Sequence, residues 1–545
     1  MSDTPIDLDQ QEVREAFARA GEGPWTMLYE SRKEGDVDVF QWCMLAPKRL
    51  RQHILADSCH LPVYDFGAPG FWESHSSGRR RVKYERYGYG EGFEPLVIHQ
   101  NHYGVRPDML PQLSEEFRLY HNLWVNEAGT EFIKVNDDGS DEVAAAIGPK
   151  GVQVRTKLLR QFQAGKQMDL VLRISSFHHF DDPDEELPLG EIVVATERDD
   201  MTLSVHVADT VGRHRPCSVL DGRKILRAPP REKAGMPPFD TRTPETYHDF
   251  IIGEDDDGEP IRHTCDPEQL ANYFGKNPDA PHYLTSVHFR REVLQRYYEQ
   301  PEKYSIGDGH LDCGGLWGLR LDNDHPDHVT VFLGDLGRDL PESERTYWQT
   351  FNVVPTGGLS QTHFRRAFLG QWAGPDSPEL RFKSAYNRFN RTWRERFGWA
   401  LFKEPEPDDV HVLQRLRIPL NDSQPEFEDQ VMGSAKVMVD ALNEVAIQEQ
   451  LPTRVKGEKG IGKLERWMDQ EEYPSAERDI AFLRRLQRLR SKLTAHRKGS
   501  DYAQVLRDEN VNPDRIQEVA TMLQDAERLL YSLAAHAGID LDSYY

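Results

Sequence analysis

The 545-residue sequence predicts a multidomain α+β protein. We expect a mixed α/β N-terminal region with considerable β-structure over residues 1–250, an α+β middle unit with a β-hairpin over 260–405, and an all-α four-helix bundle over 420–545. Three observations predict this class. The chain is too long for one core, alternating apolar and polar stretches concentrate before residue 250, and apolar residues recur every three or four positions after residue 420.

The N-terminal region is predicted mainly from strands. Residues 131–135, 168–174 and 191–195 alternate apolar and polar side chains, which is typical of a sheet with one buried face. Residues 228–244 are rich in Pro, Arg and Lys and predict an irregular linker or a long functional loop.

Basic and aromatic residues are mixed between positions 79 and 104. They are Arg79, Arg80, Arg81, Tyr84, Tyr87, Tyr89 and Tyr103. Such a mixture can bind single-stranded nucleic acid by base stacking. An exposed β-hairpin with cross-strand aromatic pairs also explains it, and we favour the hairpin.

In the middle unit, residues 287–298 predict a helix. Residues 316–321 and 329–333 predict a hairpin whose turn, 322–328, crowds Asp and His side chains. Those side chains could bind a metal ion, but small polar residues beside a proline are also what a solvated turn needs, and we favour the turn.

The last 125 residues predict the bundle. Four amphipathic segments have short connections, as a helical bundle requires. Their apolar positions are Phe427, Val431, Ala435, Met438, Leu442 and Val445 in about 426–449; Ile461, Leu464 and Met468 in a short helix; Phe482, Leu486, Leu489 and Leu493 in about 476–496; and Ile516, Val519, Leu523, Ala526, Leu530 and Leu533 in about 512–537.

The segment 484–499 stands out by its charge. It contains seven Lys or Arg residues and no acid, in a chain with a formal net charge of -24. The acidic balance argues against broad, non-specific nucleic-acid binding, but a local basic site of this kind suits a phosphate-bearing partner.

Arg490 and His496 lie near the end of the third predicted helix. His496 continues its apolar stripe, whereas six helical residues separate the two side chains by a rise of about 9 Å and a rotation of about 240°. Arg490 and His496 can therefore act on one phosphate only if the helix ends between or near them, or if a second subunit contributes the same pair of residues.

These residues carry a family resemblance. A four-helix bundle with Arg490-Ser491-Lys492-Leu493-Thr494-Ala495-His496 at the end of a helix resembles the HEPN superfamily of prokaryotic ribonucleases, in the looser form of its Arg-x(4–6)-His motif. The resemblance covers about the last 125 residues. It implies RNA cleavage without metal or cofactor, with His496 as general acid or base and Arg490 stabilising the phosphorane.

The resemblance also implies partners. Two bundles would form a homodimer around one cleft, and Arg488, Lys492, Arg497 and Lys498 would hold the RNA backbone. Asp440, Asn443 and Glu444 of the first bundle helix could support the site, although exposed polar residues explain them too. By family analogy the function is an effector in bacterial antiviral defence or a toxin-type stress response, with the front domains sensing or restraining it.

Two other functions stay open. The chain could be a non-enzymatic sensor or scaffold whose bundle only dimerises. It could also be a hydrolase centred on the middle unit, near His310 or the 322–328 turn.

Compartment is predicted from composition. The cysteines are few, scattered and odd in number: Cys43, Cys59, Cys217, Cys265 and Cys313. The polar N-terminus lacks a signal-peptide pattern, and no run approaches the roughly 18 apolar residues of a membrane span. We therefore expect a cytoplasmic protein without membrane contact.

Overall fold

The structure is a computed structural model. It describes residues 8–57, 61, 70–76, 79–87, 92–100, 105, 110–149, 151–180, 189–208, 216–239, 245–371, 373–495 and 500–542. The chain divides into two compact units, one comprising 1–136 and 140–244 and the other 137–139 and 245–545. A large antiparallel sheet and a helical C-terminal region confirm the multidomain α+β class.

The first unit is built on one antiparallel sheet. From edge to edge its strands are Ile192–Glu197, Met201–Ala208, Cys217–Leu226, Met168–His179, Val37–Pro47, Trp25–Glu34, Gly151–Arg155, Asp141–Gly148, Glu131–Val135 and Trp124–Val125, with Glu94–Pro95 pairing beside Val37–Pro47. The three stretches predicted as strands all lie in this sheet.

The centre of this sheet is buried on both faces. Neighbouring residues of a strand point to opposite faces, and Met44 and Leu45 lie in two different apolar clusters. The adjoining strand repeats the division, because Val171 pairs in register with Met44 and joins its cluster, while Leu172 joins that of Leu45.

Shorter elements complete the first unit. Its helices are Gln11–Ala18, Arg51–Leu55, Glu115–Tyr120 and Thr156–Lys166, and its further strand pairs are Gly70–Ser76 with Arg79–Glu85 and Val97–Ile98 with Gln112–Leu113. In the first pair Phe71 lies opposite Tyr84, with ring centroids 5.5 Å apart. The cross-strand aromatic hairpin is therefore confirmed there, whereas Tyr89 and Tyr103 lie outside the described residues.

The β-structure of the second unit comprises three small antiparallel sheets. Their strands are Asp249–Glu254 with Pro260–Thr264; His328–Phe332, Ser286–Arg290 and Asn352–Val353; and Tyr304–Gly307, His310–Cys313 and Trp317–Arg320. They surround an apolar core that contains Phe289, Leu311 and Trp348.

Two predictions for this region were wrong in part. Residues 286–290 form a strand rather than the start of a helix, with Val287 and Phe289 fully buried, and the helical part of 287–298 begins at Arg291. The strands near 317–320 and 328–332 exist, but they pair with His310–Cys313 and Ser286–Arg290, and a single antiparallel bridge between Asp322 and Thr330 joins the two segments.

The connection between those strands is buried at residues 322–324, whereas Pro326 and Asp327 are exposed as a solvated turn requires. Asp322 is 2% exposed and its Oδ2 accepts the backbone N–H of Ser360 at 2.8 Å. Asp324 accepts the backbone N–H groups of Asp376 and Ser377 at 2.9 and 2.6 Å. These carboxylates therefore anchor the loops that follow in the chain. The types of residue in the turn alone could not predict this role.

Helices fill the rest of the second unit. They are Gln295–Glu299, Leu333–Asp339, Glu342–Gln349, Gln361–Leu369, Pro378–Phe397, Val412–Arg415, Gln424–Ala435, a π-helical turn Lys436–Asp440, Glu444–Glu449, Gly460–Gln470, Ala476–Ala495, Ser500–Asp508 and Arg515–His536. Among the described residues, no helix has both the length and the apolar character of a membrane span.

The helical core is larger than the four predicted segments. Helix Pro378–Phe397, which the sequence assigned to the middle unit, contributes Phe382, Phe389 and Trp393 to the core formed by the C-terminal helices. Its Arg381 also forms an ion pair with Glu527 of helix Arg515–His536 at 3.2 Å.

The first predicted bundle helix is interrupted. In the π-helical turn the Ala441 N–H donates to the carbonyl of Lys436, five residues back, at 3.0 Å. A new helix then begins with Asn443 as its N-cap, whose side chain accepts the Ala446 N–H at 3.2 Å. The change of register buries Ile447 and leaves Val445 69% exposed, so the expected inward position of Val445 was wrong.

Candidate functional site

The candidate site begins on helix Ala476–Ala495, which the 3,4 spacing of its leucines predicts. Leu486, Leu489 and Leu493 face the helical core and are at most 7% exposed. Arg490 lies on the same helix, one position beyond Leu489, with its side chain 26% exposed. His496, Arg497 and Lys498 lie outside the described residues.

Asp440 is the counter-charge of Arg490. Its Oδ1 accepts a hydrogen bond from Nη1 of Arg490, and its side chain is 46% exposed. Asp440 ends the π-helical turn Lys436–Asp440, so the irregular part of one helix meets the cation of another. Turns of this type occur often at functional sites.

Glu509 is the counter-charge of Arg488 and Lys492. Arg488 donates from Nε and Nη2 to the two Glu509 carboxylate oxygens at 2.8 and 3.0 Å, and Lys492 Nζ lies 3.8 Å from Oε1. The Arg488 guanidinium, with a smaller contribution from Lys492, lowers the pKa of the Glu509 carboxyl. The Glu509 side chain is only 7% exposed, so this carboxylate is held firmly by its cations.

Acids from other elements neutralise the described part of the basic segment. Each Lys or Arg between positions 484 and 495 lies within 4 Å of a carboxylate: Arg484 of Glu465, Arg485 of Glu518, Arg488 and Lys492 of Glu509, and Arg490 of Asp440. A phosphate that binds these cations must therefore compete with carboxylates of the same chain.

The other two candidate supporting residues act elsewhere. The Asn443 side chain caps its helix and donates to the carbonyl of Ala400 at 3.0 Å. Glu444 forms an ion pair with Lys463 at 3.2 Å. Of Asp440, Asn443 and Glu444, the structure places Asp440 in contact with Arg490.

The carboxylate partners were not recognised in the sequence. Asp440 stood out only as a polar residue beside an apolar stripe, and Glu509 follows the helix Ser500–Asp508, which is not among the helices predicted from the sequence. Their separation from Arg490 and Arg488, 50 and 21 residues, leaves no local signal.

A second polar cluster lies in the second unit, at the sheet that contains strands Ser286–Arg290 and His328–Phe332. The ring of His328 stacks between His288 and His325, with centroid distances of 4.0 and 3.8 Å. Burial, with smaller repulsion from His328 and His325, lowers the pKa of His288 to about 4. Burial also lowers the pKa of His328.

Stacked imidazoles are poorly arranged to chelate an ion. The nitrogen lone pairs lie in the ring planes, and these planes are 19° and 24° apart, so the donors run side by side rather than toward one point. Across the described residues, no group of three or more His, Cys, Asp or Glu side chains is positioned to hold a metal ion.

We compared the chain with protein-family models, with curated proteins and with solved structures, and none of the three comparisons finds a match.

Proposed function

We propose that the chain is a metal-independent endoribonuclease whose helical C-terminal region carries the catalytic pair Arg490 and His496. The observation that carries the proposal is the position of Arg490. Its side chain is partly exposed near the end of helix Ala476–Ala495, and five residues of the sequence separate it from His496. A guanidinium there can donate to two phosphate oxygens at once.

The chemistry assigns one role to each residue. His496 removes the proton of the ribose 2′-OH or protonates the leaving 5′-oxygen, and Arg490 stabilises the charge that develops on the phosphorane. Arg488, Lys492, Arg497 and Lys498 hold the flanking phosphates. Two copies of the bundle contribute to one cleft, because helix geometry separates Arg490 from His496 on a single straight helix.

The biological setting that we propose is bacterial antiviral defence or a toxin-type stress response in the cytoplasm, with residues 1–405 sensing a trigger or restraining cleavage. Ion pairs within the helical region supply a restraint of their own, because Asp440 and Glu509, which lie outside residues 1–405, occupy cations that RNA would need.

The test measures RNA cleavage by the full chain in EDTA. We expect His496→Ala and Arg490→Ala each to reduce the cleavage rate by about a hundredfold or more, the range typical of a lost general acid–base group or oxyanion donor. Arg484→Ala is the matched control on the same helix and should change the rate by less than about twofold. Toxicity on expression in bacteria should fall in the same variants whose cleavage rate falls.

Cleavage or toxicity that survives His496→Ala would rule out this site. A second candidate function, a non-enzymatic sensor or scaffold that dimerises through the bundle, is favoured by the neutralisation of the basic segment. It predicts a dimer in sedimentation velocity for the unsubstituted chain and no RNA cleavage in EDTA by that same dimer.

A further inference from the structure

A cleft of about 810 Å³ opens in the second unit. Its walls are helix Pro378–Phe397, the segment 402–414 and the π-helical turn Lys436–Asp440. Small-molecule sites typically occupy about 300–1,000 Å³, so the cleft has the size of a metabolite site.

The helix interruption shapes this cleft. Ending the helix at Asp440 leaves backbone groups without helical partners, and the chain at 400–403 takes them up. The Asn443 N–H donates to the Leu401 carbonyl at 2.9 Å, and the Lys403 N–H donates to the Ala441 carbonyl at 2.7 Å. One cleft wall is thus fixed to another by main-chain hydrogen bonds.

Aromatic side chains form the apolar part of the cleft. The rings of Tyr386 and Phe402 lie 5.3 Å apart, and both side chains are at most 8% exposed. The Tyr386 hydroxyl is held in place by a hydrogen bond to the Val437 carbonyl at 3.3 Å. The two ring planes are tilted by 44°, so they form a fixed, angled apolar wall against which a planar ring can pack with little loss of side-chain entropy.

Cations surround the aromatic surface. Arg394 and Lys436 each hold a carboxylate of the acidic segment 404–409, through Glu404 and Asp409 at 2.8 Å in both cases. Arg391 and Lys403 add two exposed cationic side chains to the lining. Carboxylates already bind in this cleft, and a phosphate monoester offers a larger negative charge, about -1.5 to -2 near pH 7, with more acceptor oxygens.

The lining also provides groups that recognise hydrogen-bonding edges. Asn387, Asn390 and Gln414 contribute amide side chains beside the aromatic rings. Each amide can both accept and donate a hydrogen bond, which is the combination that the edge of a nucleotide base requires.

From these features we propose that the cleft binds a nucleotide, with the base packed on Tyr386 and Phe402 and the phosphate on Arg391, Arg394, Lys403 and Lys436. The phosphate takes the place of Glu404 and Asp409 on Arg394 and Lys436, so the acidic segment moves outward on binding. The proposal does not depend on RNA cleavage, because none of these residues belongs to the catalytic pair.

The experiment is isothermal titration calorimetry of the full chain with adenosine 5′-monophosphate and uridine 5′-monophosphate, without magnesium. We expect saturable binding of at least one nucleotide with a Kd below about 1 mM. Adenosine and ribose 5-phosphate, each lacking half of the ligand, should bind at least about tenfold more weakly, as loss of either group costs about 1.4 kcal/mol or more.

Substitutions locate the site. The double variant Arg391→Ala/Lys403→Ala should weaken nucleotide binding at least about tenfold. Arg396→Ala, an equally exposed arginine on the same helix that does not line the cleft, should leave the Kd unchanged. Circular dichroism verifies that each variant is folded, and His496→Ala, titrated in parallel, should bind like the unsubstituted chain whether or not it cleaves RNA.

Three results would overturn the proposal. They are no saturable heat with either nucleotide, equal binding of ribose 5-phosphate and the nucleotides, and equal losses in Arg396→Ala and in the double variant. Loss of binding in His496→Ala would place the nucleotide at the cleavage site instead and would overturn it as well.

Discussion

Arg490 and Asp440 show how one ion pair can govern a reactive side chain. The pair is partly exposed, so the hydrogen bond is accessible to a competing anion. A carboxylate on the guanidinium and a phosphate on the guanidinium exclude each other. At the residue scale, the free energy of this pair contributes to how readily Arg490 becomes available to a phosphate.

Asp440→Asn should release Arg490. We expect RNA cleavage by the variant to rise by up to about fivefold, since an exposed ion pair contributes at most about 1 kcal/mol. The measurement is the initial rate of cleavage at fixed RNA concentration. Asp525→Asn removes a comparable carboxylate from Arg528 on another helix and serves as the control. A rate that falls instead would show that Asp440 assists Arg490 rather than competing for it.

At the scale of elements, Asn443 joins three segments. It caps helix Glu444–Glu449, follows the π-helical turn Lys436–Asp440 by three residues and holds Ala400 through its side-chain amide. A single residue therefore fixes both the helix start and the adjoining wall of the cleft.

Asn443→Ala should lower the free energy of unfolding by about 1–2 kcal/mol, because it removes an N-cap and a second hydrogen bond. Equilibrium unfolding in urea measures this loss. Glu449→Ala, at the exposed end of the same helix, is the control and should change stability by less than about 0.5 kcal/mol. Equal stabilities of the two variants would contradict the anchoring role.

The sequence predicted the elements whose stabilising contacts are local. The leucine spacing predicted helices near 476–496 and 512–537, and the structure has them at Ala476–Ala495 and Arg515–His536. The predicted burial of Val445 was wrong because it assumed an unbroken helix through Asp440. Spacing carries no information on where a π-helical turn inserts a residue.

The candidate site was only partly predictable for a related reason. The cations of the segment 484–499 are contiguous and visible in the sequence, whereas their carboxylates come from four separate elements. Likewise, Asp322 and Asp324 resemble turn residues until the loops that they anchor are in place. In both cases the structure depends on contacts between residues that are distant in the sequence, which local sequence patterns do not reveal.

At the scale of the whole molecule, buried histidines make stability dependent on pH. Burial lowers the pKa of His121 in the first unit to about 4, and it lowers the pKa of His288, His328 and His363 in the second unit. The unfolded chain binds these protons near pH 6.5 and the folded chain does not, so stability falls as the pH drops below 6.5.

His288 provides the test. Its pKa of about 4 implies a loss of about 3 kcal/mol of unfolding free energy between pH 6.5 and pH 4; the groups that face it are His325, His328 and Asp322. We expect His288→Gln to reduce the slope of unfolding free energy against pH over that interval. The exposed His53→Gln should retain the slope of the unsubstituted chain. Identical slopes for all three proteins would contradict the assignment.

The π-helical turn has a consequence for how Asp440 could move. The helix end would become regular if the Ala441 N–H exchanged the carbonyl of Lys436 for that of Val437, four residues back, and this change of register would rotate the local backbone by about 100°. The rotation would move Asp440 away from Arg490 while rearranging one hydrogen bond. The amide of Ala441 should therefore exchange with deuterium faster than amides of the neighbouring regular helix, and a ligand lodged against Lys436 would slow it.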